Sequence, residues 1–367
     1  MRAITLAAAI LAIMSDSLAN ARSVEYDGTL VMVHTLFRHG DRTPDDGGYE
    51  SNPYNDEQFY EPLGWGQLTN EGKRREYRIG TTLRQRYNDF LGDVYDVTLL
   101  DARTTNVNRT KMSVELMLAG LFPPKDDQIW LPWLQWQPIP YNYLTLDREL
   151  QSVWLCRNYE TLRKELLASD EIQKLFTPYQ SIFSYVSNYT GLNVTTPNDI
   201  FGLYWVLKTQ QEYGYPLEDW TKEVFPEAFE TIVKDVYYLA TNTTALRKIA
   251  GGFLLRKILE DSRGKIDGTL IPPSRKLFIY SAHEMNVATF LGTLGIYPGD
   301  IPEYGSHVLV ELHKINGQFG FKFYYQNWQQ SDPQLMIIPG CESFCKMELF
   351  EELVAELVPS DDDCETA

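Results

Sequence analysis

Apolar runs with strand character stand at the two ends of this chain, at 30–37 and 94–100 and again at 276–281, 306–314 and 319–325. The stretch between, 130–262, reads as helix and loop throughout. One sheet built from these runs must bring both ends of the chain together and leave the middle to form something else. Helical periodicity appears at 70–91, 110–120, 158–169, 198–213, 228–240, 244–261, 284–294 and 346–357, with Thr69 placed to cap the first helix and Gly92 to stop it. The pattern predicts an α/β fold: a mixed, mostly parallel central sheet flanked by helices, made by 22–129 and 263–367. Residues 130–262 form a mostly helical cap insertion over its ligand edge. No internal repeat or low-complexity segment is present, and the 367 residues, 44% apolar, supply a large core.

Three of the strand-like runs end in chemistry. After Leu30 to Phe37 comes Arg38-His39-Gly40-Asp41-Arg42-Thr43-Pro44. Open α/β sheets bind ligands at the carboxyl ends of their strands. Paired guanidiniums there are forks for phosphate or carboxylate oxygens, and a histidine among them is placed to attack phosphorus. The run near 94–100 leads to Arg103, and Asn108-Arg109-Thr110 opens the next helix, where backbone amides attract anions. Phe278 to Ala282 leads to His283 and Glu284 at a helix start, a donor for phosphoryl oxygens and an acid for a leaving alkoxide. Each cluster has a bland alternative: a surface turn, a solvated arginine, a hydrogen-bonded core histidine. Three strand ends with complementary chemistry outweigh those alternatives. His34, His307 and His313 lie inside strand-like runs and read as structural. The aromatic residues of the insertion (Trp130, Trp133, Trp136, Trp154, Tyr204, Trp205, Trp220) read mostly as core, with a few at a cleft mouth.

The segment 38–44 resembles the Arg-His-Gly-x-Arg-x-Pro signature of the histidine acid phosphatases. Gly64 to Thr69, Ala102 to Pro124, His283-Glu284 and Pro339-Gly340-Cys341 extend the likeness from about Gly28 to Cys364, nearest to secreted insect venom and salivary forms. The resemblance implies a phosphoglycerate-mutase-like fold and hydrolysis of small phosphomonoesters through a phosphohistidine on His39. Arg38, Arg42, Arg103 and His283 would hold the phosphoryl oxygens, and Glu284 would protonate the departing alcohol. Fixed guanidiniums neutralise the developing charge, so no metal or cofactor is expected, and an acidic pH optimum is. The family usually carries His-Asp where this chain has His283-Glu284, and one methylene moves the carboxyl by about an ångström, enough to lower activity. That substitution, the acidic charge and the aromatic insertion motivate a competing reading, a catalytically weak protein binding biogenic amines or leukotrienes in the same cleft.

Arg2, the apolar stretch Ile4 to Met14 and Ala19-Asn20-Ala21 read as a signal peptide over 1–21, so an exported protein is expected in venom, saliva, lysosome or general secretion. Cys156, Cys341, Cys345 and Cys364 allow three pairings. Zinc on Cys341 and Cys345 lacks a nearby histidine, and an oxidising compartment favours disulfides. Among the pairings, the resemblance implies Cys341–Cys345 and Cys156–Cys364. Sequons start at Asn108, Asn188, Asn193 and Asn242, of which the last three sit in polar surroundings and are the expected glycan sites. A net charge of -17 argues against nucleic acid or an anionic membrane as partner, and it makes arginines gathered at one strand end a local positive pocket. Homodimers occur in the family, and a homodimer is the expectation here.

Overall fold

A computed structural model of the chain describes residues 28–328 and 332–365. The leader expected over 1–21 lies outside them. The sheet is built from β1 (Leu30–Arg38), β2 (Leu100–Thr104), β3 (Leu277–Ala282), β4 (His307–Ile315), β5 (Gln318–Gln326), β6 (Gln334–Met336) and β7 (Cys345–Lys346). Its order is β2-β3-β1-β4-β5-β6, with β7 also on β5. β1, β2 and β3 run parallel, with Arg38 opposite Ala282 and Thr104 opposite Ser281. The remaining pairings, β1 with β4, β4 with β5, and β5 with β6 and β7, are antiparallel. The mixed α/β architecture is as expected, but the sheet is not mostly parallel. β4 and β5 are joined by Asn316-Gly317 alone, and so short a connection can only reverse direction.

Around the sheet lie α1 (Asn70–Leu91) and α2 (Asn108–Leu121). Then come α3 (Arg148–Leu155), α4 (Arg157–Ala168), α5 (Asp170–Phe176), α6 (Gln180–Thr190), α7 (Pro197–Tyr213), α8 (Glu227–Leu239), α9 (Thr244–Ala250) and α10 (Gly252–Asp267). After β3 follow α11 (Glu284–Thr293) and α12 (Met347–Val354). Residues 130–262 contain no strand among the described residues. Thr69 caps α1 by accepting from the Gly72 N–H, and Gly92 ends it at φ 79.

β1 is apolar along its length because both of its faces are covered. Met32 and Leu36 pack with Phe278, Val287, Phe290, Leu291 and the α10 leucines on one side. Val33 and Phe37 pack with Ile79, Leu83, Val114, Met117 and Ile279 on the other. Each such side chain contributes on the order of 1.5–3 kcal/mol on burial. His34 stacks on Phe278 at 4.5 Å, His307 is buried with Nδ1 3.1 Å from Gly305 O, and His313 sits between Thr29 and Glu311. Structural roles suit all three. The helices α1 and α2 meet at backbone contact: a Cβ on Gly80 would lie 2.0 Å from Met117 O, and one on Gly120 2.3 Å from Tyr77 O. Glycine is needed at both positions because nothing larger fits between the helices.

The chain leaves β1 toward the α1–α2 face, and it leaves the neighbouring β3 toward the α11 face. Adjacent parallel strands whose connections depart to opposite faces open a crevice at their carboxyl ends. Two disulfides, Cys156–Cys364 and Cys341–Cys345, are formed, and the first ties the helical segment to the last described turn. Of the aromatic residues expected in the core, Tyr204, Trp205 and Trp220 are buried. Trp130, Trp133 and Trp136 are exposed, contrary to that expectation, while Trp154, also exposed, sets its ring edge to face against His283 at 5.8 Å, beside the strand ends.

Candidate active site

The parallel ladder continues one residue beyond each strand. The His39 N–H donates to Ala282 O at 3.0 Å and the Thr105 N–H to Ser281 O at 3.1 Å, which lines up the residues following β1, β2 and β3. The rings of His39 and His283 therefore meet edge to face at 5.4 Å. Gly40 lets the loop pass against α1, because a Cβ there would stand 2.6 Å from Gly72 O.

His39 is 1% exposed, and its Nδ1 lies 2.9 Å from Gly40 O. A carbonyl only accepts, so Nδ1 carries the proton and Nε2 bears the lone pair. Arg109 Nε donates to that lone pair at 3.1 Å. Burial first, then the charges of Arg109, Arg38, His283 and Arg42, hold His39 well below the ordinary histidine pKa, so it stays neutral in acid. His283 is lowered to about 4, by burial and then by Arg109, and its Nε2 lies 3.0 Å from Thr105 Oγ1. Both effects favour the neutral imidazole in the free protein.

Arg38 is fully buried, its guanidinium over the rings of Tyr304 at 3.9 Å and Trp205 at 4.3 Å, with Nη1 donating to Pro302 O at 2.8 Å. Its Nε stands 3.2 Å from Glu284 Oε2. Burial would raise the Glu284 carboxyl, but Arg38, His283 and Arg42 outweigh it and hold the group below its usual value. Arg42 is bound through Nη2 to Asp45 Oδ2 at 2.9 Å, and Arg109 through Nη1 to Asp45 Oδ1 at 3.0 Å. His39, His283 and Glu284 bring potential metal-ligand atoms within 4.8 Å of one another. Guanidiniums already engage Glu284 and the His39 lone pair, so the charge there suits an anion rather than a cation. A cleft of about 440 Å³ opens above, lined by His39, Arg42, Arg109 and Glu284 and by side chains from 192–206.

Five of the residues expected at the site, Arg38, His39, Arg42, His283 and Glu284, come together. Arg103 does not. Its Nε is 3.2 Å from Asp147 Oδ2 and its Nη2 3.5 Å from Glu149 Oε2, at the start of α3, and it does not line the cleft. Strand alternation explains this: Arg103 lies within β2, so its side chain is committed to one face of the sheet rather than to the strand end. Arg109, in the first turn of α2, takes the place assigned to Arg103. Its signal in the sequence is its position just after the strand, at a helix start. Trp205, Tyr304 and Asp45 also join the site, and nothing local in the sequence marks them.

Residues 29–326 match the histidine phosphatase superfamily (branch 2). The venom acid phosphatase Acph-1 of Apis mellifera is 36% identical over 94% of this chain and 89% of its own length. Prostatic acid phosphatase of Homo sapiens is 34% identical over 90% of this chain and 86% of its own. Among solved structures, the apo form of Hafnia alvei phytase superposes with a TM-score of 0.68 at 17% identity, covering 92% of this chain and 98% of that one.

Proposed function

The chain belongs to branch 2 of the histidine phosphatase superfamily, and on that premise we propose that it is an acid phosphatase cleaving small phosphomonoesters through a phosphohistidine on His39. The observation that carries this is the His39 tautomer: Nδ1–H held by Gly40 O and a lone pair on Nε2 facing Arg109 in the cleft. His39 Nε2 attacks the phosphorus in line while Arg38, Arg42, Arg109 and His283 hold the phosphoryl oxygens. In the free protein Glu284 is a carboxylate paired with Arg38. A phosphoryl group entering between them takes over the Arg38 donors and adds negative charge beside Glu284, so the carboxyl rises and takes up the proton that it delivers to the leaving alcohol. Water then hydrolyses the phosphohistidine with the freed carboxylate as base. An acidic optimum follows, because His39 remains neutral there while Glu284 in the complex is protonated.

The amine- or leukotriene-binding alternative is not favoured. A binder has no need of a nucleophile tautomer set by Gly40 or of three converging guanidiniums. The segment 130–262 acts as a cap, supported by the cleft-lining residues that it contributes. The two disulfides support an exported or lumenal protein. No helix among the described residues is long and apolar enough to cross a membrane. Asn188 and Asn193 are exposed and Asn242 partly so, as glycan acceptors require. The exposed Trp130, Trp133, Trp136, Leu144 and Leu146 offer apolar surface that supports a homodimer. Turnover of p-nitrophenyl phosphate at pH 5, with a rapid-quench search for phosphohistidine, tests the reading. Wild type is expected to turn over and to trap the intermediate, and His39→Ala to do neither. Equal rates from the two proteins would overturn it.

A further inference from the structure

The cleft over His39 is not uniformly cationic. Its walls carry Leu192, Phe201 and Val206, and its lining holds two arginines, Arg42 and Arg109, against four carboxylates, Asp45, Asp46, Asp199 and Glu284. Asp45 is half exposed and divides its carboxylate between the two arginines, Oδ2 to Arg42 and Oδ1 to Arg109. One anion therefore bridges both forks of the phosphate clamp from the solvent side. We propose that Asp45 is the specificity-determining residue of this cleft, restricting it to esters that carry a single phosphate on an uncharged or cationic, partly apolar alcohol.

The inference rests on the phosphatase reading of the same site and deepens it. Asp45 does two things to the clamp. It holds Arg42 and Arg109 in one geometry before substrate arrives, which lowers the ordering cost of binding one phosphoryl group. It also adds a fixed negative charge to a lining that already holds Asp46 and Asp199, which any second phosphate of a polyphosphorylated alcohol must face. Among the described residues that line the cleft, no lysine and no further arginine is present to receive that second phosphate. An added phosphate thus meets carboxylates, while an aryl or alkyl body meets Leu192, Phe201 and Val206. A like charge about 6 Å away in a half-wet cleft changes affinity roughly tenfold.

The test compares wild type with Asp45→Asn, which keeps the shape and removes the charge. kcat/KM is measured at pH 5 and low salt for p-nitrophenyl phosphate, phosphocholine and inositol hexakisphosphate. In wild type the hexakisphosphate is expected to rank last. Asp45→Asn is expected to raise the hexakisphosphate to p-nitrophenyl phosphate ratio about tenfold and to lower the phosphocholine ratio. Added salt compresses the wild-type differences, a check that needs no variant. Ratios unchanged by the substitution, or a wild type that cleaves the hexakisphosphate as readily as p-nitrophenyl phosphate, would overturn the assignment. Calorimetric binding of inositol hexakissulfate, which has no phosphoryl group to transfer, separates the two claims. A protein that turns over nothing sinks the phosphatase reading, and the affinity ratio between Asp45→Asn and wild type still decides the role of Asp45.

Discussion

Arg103 and Arg109 are near neighbours in sequence with opposite employment. Arg109 donates to Nε2 of His39, the proposed nucleophile, so Arg109→Ala is expected to lower kcat/KM for p-nitrophenyl phosphate by about 10²–10³-fold with little change in stability. Arg103 faces Asp147, which is fully buried. Arg103→Ala leaves that carboxylate unpaired and is expected to cost about 3 kcal/mol in urea unfolding, with a smaller effect on turnover. The reverse pattern would return Arg103 to the site. Residue chemistry at the three strand ends is legible in the sequence because His39, His283 and Glu284 directly follow strands or open a helix. The third guanidinium is misread there because composition near a strand end does not reveal which face a side chain takes. Arg38 is legible as a clamp, but its seat between Tyr304 and Trp205 is not, since those rings come from distant segments.

The decisive contact between elements is the glycine-to-backbone crossing of α1 and α2. α2 carries Arg109 in its first turn, so whatever spaces the two helices also aims the guanidinium. Gly120→Ala puts a methyl into Tyr77 O and is expected to cost about 1–3 kcal/mol in urea unfolding and to weaken phosphate binding together with stability. Wild-type stability and KM in the Gly120→Ala protein would show that the helices can separate freely. Most helices are visible from periodicity because each has an apolar stripe of its own. The expected helix over 244–261 is two, broken at Gly251, where a side chain would stand 2.5 Å from Thr293 Oγ1. The strand expected at 94–100 is β2 at Leu100–Thr104, because its register is set by pairing with β3 far along the chain. β6 and β7 are short edge strands defined only by β5 and leave no local pattern. The helices α3, α5 and α6 escape a periodicity reading for a similar reason. At eight, seven and eleven residues they span only two or three turns, too short for a repeat to stand out.

The molecule as a whole is built for acid. Glu76 is fully buried, its carboxyl makes no hydrogen bond among the described residues, and burial, with Asp41 adding to it, holds it well above the usual value. Asp147 is pushed up to about 6, by burial and by Glu149, against the pull of Arg103. A carboxyl raised on folding contributes stability that is fully present below its unfolded pKa and is lost as pH climbs through the folded one; for Asp147 that window runs from 3.8 to about 6. Glu284 and Glu311 run the other way. Burial would raise them, but Arg38 for the first, and His313 and Arg86 for the second, win, so their contribution is present above 4.5 and is lost as pH falls. Maximum stability is therefore expected in mild acid, with a Tm at pH 5 above that at pH 8. Glu76→Gln should narrow the gap by raising stability at pH 8 by about 1 kcal/mol or more. An unchanged difference would mean that Glu76 keeps its charge by another route.

β3 enters the sheet between β1 and β2, both made far earlier in the chain. A growing polypeptide acquires most of its length, the whole α-helical middle included, before His283 and Glu284 exist to stand beside His39. Competence to cut arrives late in synthesis and all at once, when a single central strand slides home.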